Sequence, residues 1–480
     1  MENLIFEKTI KGRKGYTLPA LDVPKINPIP NQFLRKIDAN LPEVAETDVS
    51  RHYIRLSNLN HCIEKGFYPL GSCTMKYNPK VNEIAASLTG FTDVHPHTPA
   101  EFEQGVLALM YDLGEYLKEI TGLDGVTLQP SAGSQGELTG ALCFRAYFKD
   151  KGEPQRTKML IPESAHGTNP ATATTAGFQA VNIKCTSDGA IDIDDLKSKL
   201  GDDIAGIMIT NPSTIGVFES NIIEIADLIH NCGGLMYMDG ANLNALLGIT
   251  TAGKMKFDCV HINLHKTMAT PHGGGGPGSG PICVNKKLLP YLPTPQIIKE
   301  GNKYKLIDKK TNTKSIGRMH SFYGNFGIFI RALVYIRMLG ADGMKRVSEN
   351  AIINANYILA RLKKHYTLPY NVFCMHECLF TAEKQMEHGV KAVNIAKRLL
   401  DYGMHAPTIN FPLVVSEALL IEPTETEKLE DLDAFCDVMI KIAEETNNDA
   451  DLVLNAPFTT PVKRLDDALA VRQPNLKWSN

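Results

Sequence analysis

Short, largely apolar runs recur through the middle of the chain, at Met159 to Ile161, Ala180 to Ile183, Ile204 to Ile209, Leu235 to Met238, Val260 to Leu264 and Ile282 to Val284. Most do not alternate with polar residues, and helix-like stretches such as Ile222 to Cys232 separate them. Strands that are apolar on both sides and joined by helices belong to a parallel sheet covered on both faces, so the pattern predicts an α/β core. The spacing of Phe102, Val106, Leu107, Met110, Leu113 and Leu117 predicts a helix before that core, closing near Thr121-Gly122. After Gly327 the period is helical over Ile328 to Leu339 and Asn354 to Lys364, and mixed strand-like and helical pieces follow from Val372 to Ile442. Before residue 95, prolines and isolated charges such as Asn27-Pro28-Ile29-Pro30 and Asn78-Pro79 leave room only for short helical stretches, for instance Gln32 to Asp38. The expected division is an arm over 1–95, a large α/β domain over 96–335 and a smaller α+β domain over 336–480.

Composition narrows the function classes. The 480 residues are 43% hydrophobic and 21% charged, which excludes a disordered or fibrous chain. Fifty basic side chains against 53 acidic ones leave a net charge of -3, so no global field draws the protein to nucleic acid or to a membrane surface. No apolar run reaches the ~18 residues of a membrane span. The first residues carry acids and lack a basic stretch followed by an apolar one, and the ten cysteines contain no CxxC pair. Those features predict a cytoplasmic protein with reduced thiols, acting on small molecules.

The densest chemistry lies in Cys259-Val-His-Ile-Asn-Leu-His265-Lys266-Thr, which runs into the glycine-rich stretch ending at Gly280. An amine at the carboxyl end of a strand faces the crevice of an open α/β sheet. Desolvated, it can shed its proton and condense with an aldehyde, although a lone lysine at a strand end is more often plain surface. A second apolar strand, Leu235 to Met238, ends in Asp239, an acid able to hold a pyridine nitrogen protonated or simply to cap a helix. Two further strand ends supply Asn211 and His166, and that imidazole could stack on a flat ring or merely pack. Upstream, Ser131-Ala132-Gly133-Ser134-Gln135 opens a helix expected to start near Gly136, where backbone amides attract a phosphate.

Competing motifs fail on context. Gly273, Gly275 and Gly278 satisfy GxGxxG, but Pro277 and Pro281 interrupt the segment and no helix is expected after it. No GxxxxGK[ST] occurs. His95-Pro-His97 and Cys374-Met-His-Glu-Cys378 lack zinc-site spacing, so no metal is expected. Between Lys286 and Arg318, nine basic residues oppose only Glu300 and Asp308, which reads either as a landing site for an acidic partner or as a solvated hairpin.

Phosphate cradle, imidazole, ring acid and amine occur in the chain order of pyridoxal-phosphate enzymes with an aspartate-aminotransferase-like fold. Phe67-Tyr-Pro-Leu-Gly-Ser-Cys-Thr-Met-Lys-Tyr-Asn-Pro79, Ser164-Ala-His-Gly-Thr-Asn-Pro170, Thr210-Asn-Pro-Ser-Thr214, Asp239-Gly-Ala-Asn-Leu-Asn244, Ser315-Ile-Gly-Arg-Met-His-Ser-Phe322 and Gly403-Met-His-Ala-Pro-Thr408 together resemble the glycine cleavage system P-protein. The length resembles the stand-alone, cofactor-bearing second subunit rather than the double-length single-chain form. The resemblance implies fold type I, with pyridoxal 5'-phosphate held by Lys266, Asp239, His166, Ala132, Gly133, Ser134, Gln135, Asn211 and Ala241, and with Lys266 and His265 as catalytic residues. It further implies decarboxylation of glycine and transfer of the aminomethyl group to the lipoyl arm of H-protein. A separate subunit 1 would complete an α2β2 assembly working with T-protein and L-protein. Other pyridoxal-phosphate reactions, and a silent scaffold half, are the alternatives. Retention of Lys266 and Asp239 speaks against the scaffold.

Overall fold

The computed structural model describes residues 2–26, 28–271 and 278–476, and it divides the chain into two compact units, Met1–Gly66 and Phe67–Asn480. The first unit contains a 13-residue helix, Glu46–Asn58, longer than the proline-rich pattern led one to expect. Its start is held by Asp48, which accepts the Ala45 N–H at 3.0 Å and pairs with Arg13 at 2.7 Å. Residues 67–95, read from sequence as part of the arm, fall in the second unit.

That second unit is organised by a seven-stranded sheet. Its strands are β1 (Gly125–Thr127), β2 (Lys158–Pro162), β3 (Gln179–Ile183), β4 (Ile204–Thr210), β5 (Leu235–Gly240), β6 (Cys259–Ile262) and β7 (Ile282–Val284). Their order is β1-β7-β6-β5-β4-β2-β3. All neighbours from β6 through β5, β4 and β2 to β3 are parallel, while β7 is antiparallel to both β6 and β1. The run expected as one strand to Leu264 ends at Ile262, and Leu264–Thr267 forms a helical turn instead. Alternate residues of β4 explain why most of the strands carry no polar alternation. Ile207 and Ile209 join one buried cluster, with Leu113, Ile225 and Ile336, whereas Ala205 and Met208 join another, with Phe144 and Tyr237. Both faces are therefore covered, as the apolar runs predict.

The expected helix before the core spans Gln104–Thr121 and closes at Gly122 in the left-handed conformation. The two helical stretches after Gly327 are one element, Phe326–Leu362, interrupted at Gly340, whose φ of 62° no helix interior accommodates. The basic run forms a hairpin of β8 (Gln296–Glu300) and β9 (Lys303–Ile307), in which Lys305 pairs with Glu300 at 2.5 Å. Beyond it, β10 (Cys378–Thr381), β11 (Thr408–Ile409) and β12 (Ala418–Ile421) make an antiparallel sheet in the order β10-β12-β11. Helices Ala392–Asp401 and Leu429–Asn448 cover it through a separate core containing Ile395, Leu399, Phe435 and Met439. Leu70 bridges to Ile421 at the end of the central strand β12, so the segment after Phe67 joins this second sheet. Among the described residues no helix is long and apolar enough to cross a membrane.

Candidate active site

The carboxyl ends of β5 and β6 bring the acid and the amine into one buried crevice. Asp239, the fifth residue of β5, is buried, accepts the Ala241 N–H at 2.9 Å and the Asn169 amide at 3.0 Å, and lies 3.3 Å from His261 Nε2. Burial alone would push its carboxyl up. His261, the Ala241 amide, Asn169 and Lys266 outweigh that and hold it below the ordinary range. His261 is in turn fixed by the Tyr237 hydroxyl, 2.8 Å from Nδ1, and burial followed by the Lys266 and His166 charges keeps its own pKa low. The register explains the pair: Asp239 lies directly beside His261, and Tyr237 beside Cys259, across the β5–β6 ladder.

Lys266 sits on the turn after β6 and is buried, and its Nζ donates to the Ser72 carbonyl at 2.8 Å. His265 beside it accepts the Ser279 N–H on Nδ1 at 3.2 Å. His166, between β2 and the helix Thr168–Thr175, is 2.9 Å from Thr168 Oγ1, and its ring centroid lies 5.4 Å from that of Phe411. Burial lowers its pKa most, Asp239 raises it and Lys266 lowers it further. His166, Asp239 and Lys266 thus lie close enough for charge on one to act on the others.

The expected phosphate cradle begins at Ala132, the N-cap of the helix Gly133–Asp150, three residues earlier than the pattern suggested. Ala132 has no side-chain acceptor to cap the amides of Gly133, Ser134 and Gln135. The Gln135 side chain is already used: its Oε1 accepts from Ser131 N–H and Oγ at 2.6 and 2.9 Å, and its Nε2 donates to the Met319 carbonyl. A Cβ on Gly136 would stand 2.6 Å from the Gly280 carbonyl, so glycine alone lets this helix start approach the end of the β6–β7 region. Part of the glycine-rich stretch, residues 272–277, lies outside the described residues. Asn211 is buried; its Nδ2 donates to Met255 Sδ at 3.7 Å and its Oδ1 accepts the Glu219 N–H at 3.0 Å. Ala241 contributes its backbone N–H to Asp239.

Sequence reasoning missed several neighbours of these groups. Glu137 accepts Thr168 Oγ1 at 2.7 Å and forms a compact set with Asp239 and His261; burial and then the Asp239 charge push its carboxyl up to about 7. Ser72, Thr74 and Lys76 reach the crevice from the strap after Phe67, and Lys76 Nζ donates to the Thr267 carbonyl at 2.8 Å. The signal for His261 was present in the parity of β5 and β6. The strap's motif, Phe67 to Pro79, carried the family resemblance but not its contacts, because its partners are hundreds of positions away in the chain.

Comparison with known proteins follows the same lines. The family described as glycine dehydrogenase, C-terminal domain, matches residues 347–457. The chain is 56% identical over 483 residues to the protein named probable glycine dehydrogenase (decarboxylating) subunit 2 of Chloroherpeton thalassium, covering 100% of this chain and 98% of the relative. Glycine decarboxylase (P-protein) of the glycine cleavage system, in inhibitor-bound form, shares the fold at a TM-score of 0.72 and 18% identity, over 86% of this chain and 93% of that one. Aspartate aminotransferase of Thermus thermophilus shares it at a TM-score of 0.58 and 11% identity, over 79% and 100%. The fold is the aspartate-aminotransferase-like fold type I of pyridoxal-phosphate enzymes.

Proposed function

The chain belongs to the family of glycine dehydrogenase (decarboxylating) subunit 2, the P-protein of the glycine cleavage system, and on that premise we propose that it decarboxylates glycine with pyridoxal 5'-phosphate and passes the aminomethyl group to the lipoyl arm of H-protein. The observation that carries the reading is a buried amine, Lys266, facing an acid, Asp239, that three donors hold ionised. The remaining residues fit the cofactor. The first turn of the helix Gly133–Asp150 offers amides without a side-chain cap, donors suited to a phosphate. When bound, pyridoxal phosphate supplies an electron sink for the pair left behind as the bond from glycine Cα to its carboxylate breaks.

The chain's own groups prepare that event. Asp239 keeps a cationic ring nitrogen favourable, and the His261–Tyr237 contacts stop its carboxylate from turning away. Lys266 Nζ, steered by the Ser72 carbonyl, receives or returns a proton near Cα. His166 stays neutral and presents a ring face, and His265 orients the end of the glycine-rich stretch through Ser279. Burial of these groups excludes water, which strengthens every charge interaction among them. In this reading subunit 1 completes the enzyme as an α2β2 assembly, and H-protein, T-protein and L-protein complete the system.

Borohydride reduction of the chain loaded with pyridoxal phosphate, followed by peptide mapping, is expected to label Lys266. A glycine-dependent bicarbonate exchange with subunit 1 and lipoylated H-protein is expected to need that lysine, falling by ~10³-fold or more in Lys266→Ala. Absence of label on Lys266 would make this chain a scaffold. Label without exchange would assign it a different amino-acid reaction.

A further inference from the structure

Behind Lys266, on the side of the β10–β12 sheet, lies a second buried group of acids that none of these roles uses. Cys378 pairs with Ile421 at the end of the antiparallel ladder, so one step further Glu377 stands opposite Glu422. Both glutamates are buried, and like charges facing each other across strands in a dry interior repel. Glu377 accepts the Ser72 N–H at 2.7 Å and the Asn242 amide at 3.4 Å; Glu422 accepts the Thr74 hydroxyl on one oxygen, and its other oxygen has no partner. His376 Nε2 lies 3.6 Å from Glu377 and 4.0 Å from Glu422, yet neither of its ring nitrogens is hydrogen-bonded. Burial, then Lys266 and Lys76, push the imidazole down to about 3, so it carries no charge.

The cations nearby do not suffice for two carboxylates. Lys76 is committed to Glu425 at 2.8 Å and to the Thr267 carbonyl. The thiols of Cys73, Cys374 and Cys378 border the site and are not cations. Lys266 acts on both acids, whereas Lys76, already paired with Glu425, reaches only Glu422. Burial raises both acids, Glu422 to about 7 and Glu377 well above its ordinary value; the Glu422 charge adds to the rise of Glu377, and the Glu425 charge to that of Glu422. Ser72 joins the two sites: in the left-handed conformation, with φ at 62°, it gives its N–H to Glu377 while its carbonyl takes Lys266 Nζ at 2.8 Å.

We propose that Glu377 and Glu422 hold one proton between them at neutral pH and serve as positioning residues for Lys266, setting the charge its amine faces on the side away from Asp239 to a single negative one. Two full negative charges would lock the ammonium, whereas one leaves it able to shed its proton and act as a nucleophile. The inference rests on the proposed function only through the aldehyde used as a probe.

The test has two arms. In the cofactor-free full chain, infrared spectra at pH 7 should show a protonated carboxyl band that shifts on deuteration and is lost in Glu422→Gln. The pH midpoint of borohydride-trapped pyridoxal phosphate labelling at Lys266 should be nearly unchanged in Glu422→Gln, which keeps the single charge. In Glu377→Gln/Glu422→Gln it should fall by about one unit or more, because an opposite charge a few ångströms away moves a pKa by ~1–3 units. No carboxyl band in the wild-type chain, a shift already complete in the single variant, or a stoichiometric metal ion in the purified protein would overturn the proposal. Because the Glu137 and Glu427 carboxyls, each at about 7, add to the wild-type band, the loss read in Glu422→Gln carries the assignment, and the same loss in Glu377→Gln decides the matter if that variant fails to fold. A wild-type chain showing the band but no label would keep the shared proton and sink the function.

Discussion

Two buried sets, each of one histidine and two acids, flank the same lysine: Glu137, Asp239 and His261 at the tips of β5 and β6, and His376, Glu377 and Glu422 at the end of the β10–β12 ladder. In the first, His261 is anchored by Tyr237 and Asp239 receives two amide donors and the imidazole, so that this acid stays ionised despite burial. In the second, His376 has no hydrogen bond, Glu422 keeps one oxygen unpartnered, and both acids are raised. Burial is comparable in the two sets; the supply of donors is not. Charge settles on the buried group with the most donors, and its poorer neighbour holds the proton, as Glu137 does beside Asp239.

The comparison breaks most sharply at Asp239→Asn. Turnover in the exchange assay should fall by ~10²-fold or more, the scale of one lost preorganised electrostatic contact. The same change removes the charge that lifts Glu137, so the Glu137 titration should move down from about 7 in a pH series of thermal unfolding. Next in size, His261→Phe would strip the first set of its anchor and leave the Tyr237 hydroxyl buried without a partner. Urea unfolding should register a loss of ~1–3 kcal/mol.

The raised acids of both sets and the lowered histidine of the second should also respond to pH in opposite senses. Glu137 and Glu422 have an ordinary value of 4.5 and sit at about 7 when folded, so the folded state keeps a proton that the unfolded chain gives up. Their stabilising contribution is complete below 4.5 and is lost as pH rises through about 7. His376, ordinarily at 6.5 and held at about 3, contributes above 6.5 and loses that contribution as pH falls toward 3. Glu137→Gln should flatten the unfolding profile on the alkaline side, and His376→Leu on the acid side. The smallest effect belongs to Ser72→Gly. Relief of a left-handed backbone, ~1–2 kcal/mol, is offset by the larger chain entropy of glycine, so stability should change by less than about 1 kcal/mol while the contacts of Lys266 persist.

The amine, the ring acid and the helix start were legible because each lies at a boundary the apolar pattern marks: Lys266 after β6, Asp239 within the last residues of β5, Ala132 to Gln135 before a helix. The register that sets His261 beside Asp239 follows from two adjacent parallel strands, but a sequence does not say which strands are adjacent. Contacts such as those of Asn211 were equally out of reach. A strand end supplied the residue, and the fold spends its amide on Met255 and Glu219.

Taken alone, the sequence determined the sheet with two buried faces, the chain order of the reactive groups and the family resemblance, since hydrophobic period and short motifs are local properties of the chain. Tertiary structure alone decided that Ser72 and Thr74 would meet Glu377 and Glu422, across separations of 305 and 348 residues. Whether those acids keep a proton depends on burial and on which donors arrive, and both exist only once distant segments have been brought together.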